Sequence, residues 1–227
     1  MPENTELLRQ VSIFKELDEQ TLQSLGQCLK AHRYPKDSLI VGQNDQGDAL
    51  FIIESGRVKV VLYGESGREM ILSIFRPGDF FGEMSLLDDQ PRSANVLALE
   101  DANVLVLSRR DFVRHLEGNP SVALNILAEM SRRLRRADDI IGNLALLDVY
   151  GRVARILIDL AHTEGEDKDE GILIRHRPTH QDLASMIGTS RETVSRVISE
   201  FQRRGFLSIQ GRAILLSHAF SEQQLDA

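Results

Sequence analysis

Residues 179–198 read Thr-His-Gln-Asp-Leu-Ala-Ser-Met-Ile-Gly-Thr-Ser-Arg-Glu-Thr-Val-Ser-Arg-Val-Ile, and no other stretch restricts the fold so tightly. Two short runs of helical apolar spacing meet at a glycine, the pattern of two helices joined by a sharp turn. Thr179 is placed to cap the first helix, with Asp182 three residues on to close a capping box. Leu183, Ala184 and Ile187 form that helix's apolar stripe, and Gly188 can take the positive φ of the turn. Ser190 then caps a second helix, in which Val194, Val197 and Ile198 face inward. That leaves Arg191, Glu192, Ser195 and Arg196 on its outer face. These residue types suit the DNA major groove: arginine forks onto guanine O6 and N7, and glutamate accepts from the cytosine amino group. The candidate DNA contacts are therefore Ser190, Arg191, Glu192, Thr193, Ser195 and Arg196, with Thr179, His180 and Gln181 at the start of the first helix.

A chain of 227 residues suits two domains. No run approaches 18 apolar residues and the start lacks a signal-peptide core, so a soluble cytoplasmic protein without a membrane partner is expected. The single cysteine, Cys28, excludes an internal disulfide, a thiolate-held iron–sulfur cluster and a cysteine-rich zinc site. The six histidines are scattered, and no catalytic set or metal site is visible. A net charge of −7 looks wrong for a nucleic-acid binder until it is divided along the chain. Residues 171–212 hold seven arginines (175, 177, 191, 196, 203, 204 and 212) against Asp182, Glu192 and Glu200, a local charge of +4. Phosphate attraction acts over about a Debye length, ~8 Å in physiological salt, so the local balance decides.

Residues 5–30 carry helix-period apolar positions, including Leu7, Leu8, Val11, Ile13, Phe14 and Leu17. From there the pattern changes to short β-like runs at 38–41, 50–53, 58–62, 71–75, 94–99 and 104–107, punctuated by glycines, which predicts a small barrel or roll. Pro120 opens a helix to about 146. Its apolar seam, Leu127, Met130, Leu134, Ala137, Ile141 and Leu144, is spaced 3-4-3-4-3, a heptad pattern that predicts a homodimer seam. A further helix at 149–162 precedes the charged run 164–170, read as a solvated loop. After residue 203, the runs 206–209 and 213–216 flank Gln210-Gly211-Arg212, a hairpin wing whose tip offers Arg212 to a phosphate. The class is α+β, in three parts: residues 1–118, a β-roll; 119–147, the dimerisation helix and hinge; and 148–227, a winged helix-turn-helix.

Residues 77–95 read Pro-Gly-Asp-Phe-Phe-Gly-Glu-Met-Ser-Leu-Leu-Asp-Asp-Gln-Pro-Arg-Ser-Ala-Asn. Gly82-Glu83 and Arg92-Ser93, nine residues apart within a β-roll, fit a cyclic nucleotide, which presents a phosphate anion beside a ribose hydroxyl. Arg92 can fork onto the phosphate and Ser93 can donate to it. Backbone amides at the start of 82–87, including those of Met84 and Ser85, can add donors. Glu83 is placed to accept from the ribose 2′-hydroxyl. The competing arrangement is a surface turn in which Arg92 and Glu83 pair with each other, worth about 0–1 kcal/mol.

Nearly the whole chain resembles the Crp/Fnr superfamily. The resemblance lies in Phe81-Gly82-Glu83, Pro91-Arg92-Ser93-Ala94, Gly142-Asn143-Leu144-Ala145, Leu147-Asp148-Val149 with Gly151-Arg152, and Ser190-Arg191-Glu192-Thr193-Val194 with Arg196. It implies a cyclic-nucleotide-binding β-roll, a dimerising central helix and a winged helix that moves when ligand binds. It also implies RNA polymerase as a partner, and double-stranded DNA with paired TGTGA-like half-sites facing adjacent major grooves. It carries ligand roles onto Gly82, Glu83, Arg92 and Ser93, with Met84, Ser85 and Ala94 beside them, and makes Arg133 the support of the pocket glutamate. In cyclic AMP-responsive members, two adjacent polar residues of the central helix reach the adenine. Those positions here are Ala137 and Asp138, so phosphate and ribose anchoring is better supported than base identity. The expected effector is cyclic AMP, with cyclic GMP, cyclic di-GMP or no effector as alternatives. A regulatory subunit acting on a protein partner is a reading of another class. Oxygen sensing is disfavoured because it needs a cysteine set.

Overall fold

In the computed structural model, which describes residues 2–220, the chain divides into two compact units, Met1–Arg135 and Arg136–Ala227. The boundary falls inside the central helix.

The first unit opens with α1 (Pro2–Gln10) and α2 (Glu19–Cys28). The single helical stretch expected at 5–30 is therefore broken. Asp18 accepts from the Thr21 amide at 2.8 Å and so starts a new helix, and residues 11–17 between the two helices form a hydrogen-bonded turn. The turn stays in the core, because Val11, Ile13 and Phe14 are fully buried. Next come β1 (Lys30–Tyr34), β2 (Leu39–Val41), β3 (Ala49–Ser55), β4 (Val58–Tyr63), β5 (Glu69–Phe75) and β6 (Phe80–Phe81). The short α3 (Met84–Asp88) follows, then β7 (Asn95–Ala98), β8 (Ala102–Ser108) and α4 (Arg109–Gly118). Two four-stranded antiparallel sheets, ordered β1-β8-β3-β6 and β2-β7-β4-β5, make the expected roll. The central helix α5 (Pro120–Leu146) begins at its proline, as N-terminal proline geometry favours. Within this unit it adds Val122, Ile126 and Met130 to the core formed by the N-terminal helices and β3 and β8.

The second unit contains α6 (Val149–Glu164), β9 (Gly165–Lys168), β10 (Gly171–Ile174), α7 (His180–Ile187), α8 (Arg191–Arg203), β11 (Leu207–Gln210) and β12 (Ala213–Ser217). Its sheet runs β11-β12-β10-β9. The charged run at 164–170 is thus not a free loop. It supplies an edge strand, and Glu166 on that strand bonds Arg175, one oxygen accepting from Nη2 at 2.7 Å. Arg175, with Lys168 beside it, lowers the Glu166 carboxyl to about 2. Charge on an exposed edge strand also discourages pairing with other chains. Leu183, Ala184, Ile187, Val194, Val197, Ile198 and Phe201 are buried against Val153, Leu157 and Ile158 of α6 and Ile214 and Leu216 of β12.

Candidate functional site

The candidate pocket is set by two buried charges of opposite sign on the 82–92 segment. Gly82 takes a φ of +86°, and a Cβ there would lie 2.5 Å from Arg92 Nη1, so only glycine lets the backbone meet the guanidinium. Arg92 is 5 % exposed; Nη1 donates to Gly82 O at 2.6 Å and Nη2 to Ala49 O at 2.8 Å. It lies over the Phe51 ring, 5.4 Å from the centroid. Two of the five donors of the guanidinium thus hold backbone carbonyls, which leaves three of them for a phosphate. Burial works against its charge, and Asp48, Glu83 and Asp45 support it.

Glu83 is 1 % exposed and does not pair with Arg92. Its Oε1 accepts from Arg133 Nη1 at 3.0 Å, as the family resemblance implied, while Oε2 is buried with no hydrogen-bond partner. Burial pushes the Glu83 carboxyl above its ordinary range, and Arg133 opposes that push. Arg133 Nη2 also donates to Phe80 O at 2.7 Å, and the guanidinium lies over the Phe75 and Phe80 rings at 5.0 and 4.7 Å. Ser85 and Ala94 are buried, whereas Met84 and Ser93 are exposed, with Ser93 Oγ 3.8 Å from Met84 Sδ. Sequence reasoning missed Ala49 and Phe51, because a strand position facing the pocket carries no mark of its own before the register is known. Glu129, whose Oε1 lies 3.2 Å from Arg133 Nε, was also missed; its i,i+4 spacing was the available signal.

Along α5, Leu127, Leu134 and Ile141 are 63–64 % exposed and Leu144 is 39 % exposed. Ala137 and Asp138 are exposed on the same helix. Met130 differs from the rest of the expected seam, since it packs against the core of the first unit.

In the second unit the Thr179–Asp182 capping box is complete, with the Thr179 amide donating to Asp182 Oδ2 at 3.1 Å. Gly188 has a φ of 67° at the turn, and Ser190 Oγ accepts from the Thr193 amide at 3.2 Å. Arg191, Glu192 and Arg196 are exposed, Thr193 and Ser195 half-buried. Amide and Ser190 hydrogen bonds at the start of α8 lower the Glu192 carboxyl, keeping it an acceptor. Thr179 and Gln181 are exposed and His180 is half-buried; burial, then Arg177 and Arg191, push its pKa down. Arg212 is exposed at the wing turn, and its carbonyl accepts from the Arg177 amide at 3.2 Å. Of the seven arginines counted in the sequence, Arg203 and Arg204 pair with Glu200, and Arg175 with Glu166. Among the described residues, Arg177, Arg191, Arg196 and Arg212 have no carboxylate partner. They are the cations left for an external anion. No helix among the described residues is long and apolar enough to cross a membrane, and no cluster of potential metal ligands is found among them.

Residues 31–119 match the cyclic nucleotide-binding domain family, and residues 151–219 match the Crp-like helix-turn-helix domain family. The chain is 30 % identical over 212 residues to a CRP-like cAMP-activated global transcriptional regulator of Mycobacterium tuberculosis, covering 93 % of this chain and 95 % of that one. It is 35 % identical over 187 residues to the cAMP-activated global transcriptional regulator CRP of Escherichia coli, covering 82 % and 88 %. Among solved structures it is similar to the c-di-GMP responsive global regulator CLP of Xanthomonas campestris. That likeness has a TM-score of 0.77 and 26 % identity, over 88 % of this chain and 99 % of that one.

Proposed function

This chain belongs to the Crp/Fnr family of transcription regulators, which are not enzymes, and on that premise we propose that it is a homodimeric DNA-binding regulator switched by a cyclic nucleotide, with cyclic AMP as the first candidate. The observation that carries the effector reading is Glu83 Oε2, a buried carboxylate oxygen without a partner beside the Arg92 fork. An unsatisfied buried acceptor is costly. A ribose 2′-hydroxyl satisfies it, while the uncommitted donors of Arg92 and the Ser93 hydroxyl take the cyclic phosphate. Cyclic AMP is favoured by the cAMP-activated relatives.

A second reading keeps the DNA function and changes the nucleotide. Asp138 stands where cyclic AMP-responsive members carry a polar neutral residue, and a carboxylate only accepts hydrogen bonds. Guanine offers N1–H and its 2-amino group side by side, a donor pair that both carboxylate oxygens can match. The c-di-GMP responsive neighbour favours the same alternative. On the DNA side, Arg191, Glu192 and Arg196 read bases and Arg177 and Arg212 hold phosphates, in paired TGTGA-like half-sites. RNA polymerase is the further partner, and the cytoplasm the place of action. Calorimetric titration of the full chain with cyclic AMP, cyclic GMP and cyclic di-GMP tests the effector, and fluorescence anisotropy on a palindromic duplex with and without ligand tests the switch. Absence of binding by all three nucleotides overturns the effector reading, and equal affinity for scrambled DNA overturns the other.

A further inference from the structure

Glu129 lies on α5, four residues before Arg133, and neither the family resemblance nor the pocket chemistry assigns it a role. Its Oε1 accepts from Arg133 Nε at 3.2 Å and its Oε2 lies 3.1 Å from Arg132. Arg133 therefore spends each of its three nitrogens on a different partner: Nε on Glu129, Nη1 on Glu83 and Nη2 on Phe80 O. The carboxylates differ in setting. The Glu83 side chain is 2 % exposed, whereas that of Glu129 is 20 % exposed and borders a polar cavity of about 430 Å³ shared with Gln10, Ser12, Asp79, Arg132 and Arg133. One guanidinium thus joins a buried acceptor in the effector pocket to a solvent-reached carboxylate on the other side.

We propose that Glu129 is a positioning residue of the effector pocket: by sharing the Arg133 guanidinium with Glu83, it aims that guanidinium and sets how acid the medium must become before the pocket stops accepting a ligand hydroxyl. Two effects of opposite sign follow from the geometry. The Nε hydrogen bond fixes the plane of the guanidinium, which keeps Nη1 on Glu83. The negative charge of Glu129 meanwhile competes for the same cation and leaves Glu83 less compensated. The other charged groups do not stand in for it. Arg92 acts on Glu83 only through its charge, without a hydrogen bond, and itself feels Asp48 and Asp45; Arg132 is exposed and paired to Glu129 itself; and Asp79 is exposed, accepting from the Arg76 amide at 2.8 Å.

The two effects separate by substitution. Glu129→Gln keeps an oxygen for Arg133 Nε and removes the charge, whereas Glu129→Ala removes both. The inference rests on reading the pocket as a cyclic-nucleotide site, so its first test uses no nucleotide. In the unliganded full chain, with ¹³C-labelled glutamate and Glu83 assigned through Glu83→Gln, the titration midpoint of Glu83 should fall in Glu129→Gln by roughly half a unit to one unit. Superimposable titration curves overturn the proposal. Calorimetry with the binding nucleotide at pH 7.5 is the second test. Glu129→Ala should weaken binding about three- to tenfold, the loss of one hydrogen bond's orientation, and Glu129→Gln should stay within about twofold. An alanine variant that binds like the wild type overturns it. If no cyclic nucleotide binds the wild type, the effector reading fails while the Glu83 midpoint still decides the role of Glu129.

Discussion

Truncating Arg92 to alanine takes the cation out of the effector pocket and at the same time strips two carbonyls of their donors. Gly82 O and Ala49 O accept from it at 2.6 and 2.8 Å, in a side chain that is almost wholly buried. An orphaned buried acceptor costs about 1–3 kcal/mol, so two set a ceiling of about 6 kcal/mol. Alanine also opens a polar space that water can enter to reach both carbonyls. The expected loss of stability therefore sits near the low end, about 2–3 kcal/mol. The effect on ligand is larger. Charge-assisted hydrogen bonds to a phosphate are worth about 1.5–3 kcal/mol each, so losing two weakens binding at least about 100-fold. Thermal unfolding reads both quantities, followed by circular dichroism because the chain has no tryptophan. At a nucleotide concentration of about 100 times its Kd, the wild type gains about 2.7 kcal/mol, and a variant binding about 100-fold more weakly gains about 0.4 kcal/mol. A variant that unfolds at the wild-type temperature without ligand, or keeps the full ligand-induced rise, refutes the argument that this side chain holds carbonyls and phosphate together.

On DNA, Arg191→Ala or Arg196→Ala should cost about 1–3 kcal/mol per subunit and relax the preference at one guanine, measured by anisotropy on a panel of point-substituted duplexes. Arg212→Ala should instead weaken all sequences alike and reduce the slope of log affinity against log salt by about 1 per subunit. Ile141→Asp, placing like charges across a two-fold seam, should shift sedimentation at low micromolar concentration towards the monomer and abolish palindrome binding; an undisturbed dimer counts against the α5 interface. Hydrogen bonds from Arg175 and Lys168 depress the folded-state Glu166 carboxyl to about 2, against an unfolded value of about 4.3. Its contribution is therefore complete above the unfolded value and is lost as pH falls through about 2, so amide exchange in β9 and β10 should quicken across that acid window and not near neutrality.

The elements legible in the sequence were those whose local chemistry agrees with their packing. Thr179, Asp182, Gly188 and Ser190 mark the helix ends of α7 and α8 by capping and turn preferences that act within three residues, and the buried stripes between them follow from a 3.6-residue period. The roll was readable from short apolar runs between glycines. What escaped lacks that agreement. The strand β1 is mostly exposed and reads Lys-Ala-His-Arg-Tyr, so no apolar alternation announces it, and only its pairing with β8 makes it a strand. The strand β9 reads Gly-Glu-Asp-Lys and is held by β10 on one side. The break between α1 and α2 was hidden because the apolar residues of the turn, buried like helix positions, continue the pattern across it. In the pocket, Arg92, Glu83 and Arg133 were identified from motif and resemblance. The carbonyls that orient Arg92, and the sharing of Arg133 with Glu129, depend on register and rotamer, which spacing does not encode.

In the proposed homodimer, the aliphatic row on α5 makes the abundance of this protein part of its own chemistry. Leu127, Leu134 and Ile141 leave close to two-thirds of their surface open on a single chain. A protomer that buries such a row only against its twin is made singly on the ribosome and completed by collision, so completion scales with the square of concentration while synthesis scales with its first power. Sparse expression leaves a larger share of molecules adhesive, exposed to proteases and to chance apolar encounters. A modest rise in gene dosage then yields a more than proportional rise in finished regulator. In that proposed dimer the aliphatic row imposes a threshold on supply, upstream of any ligand.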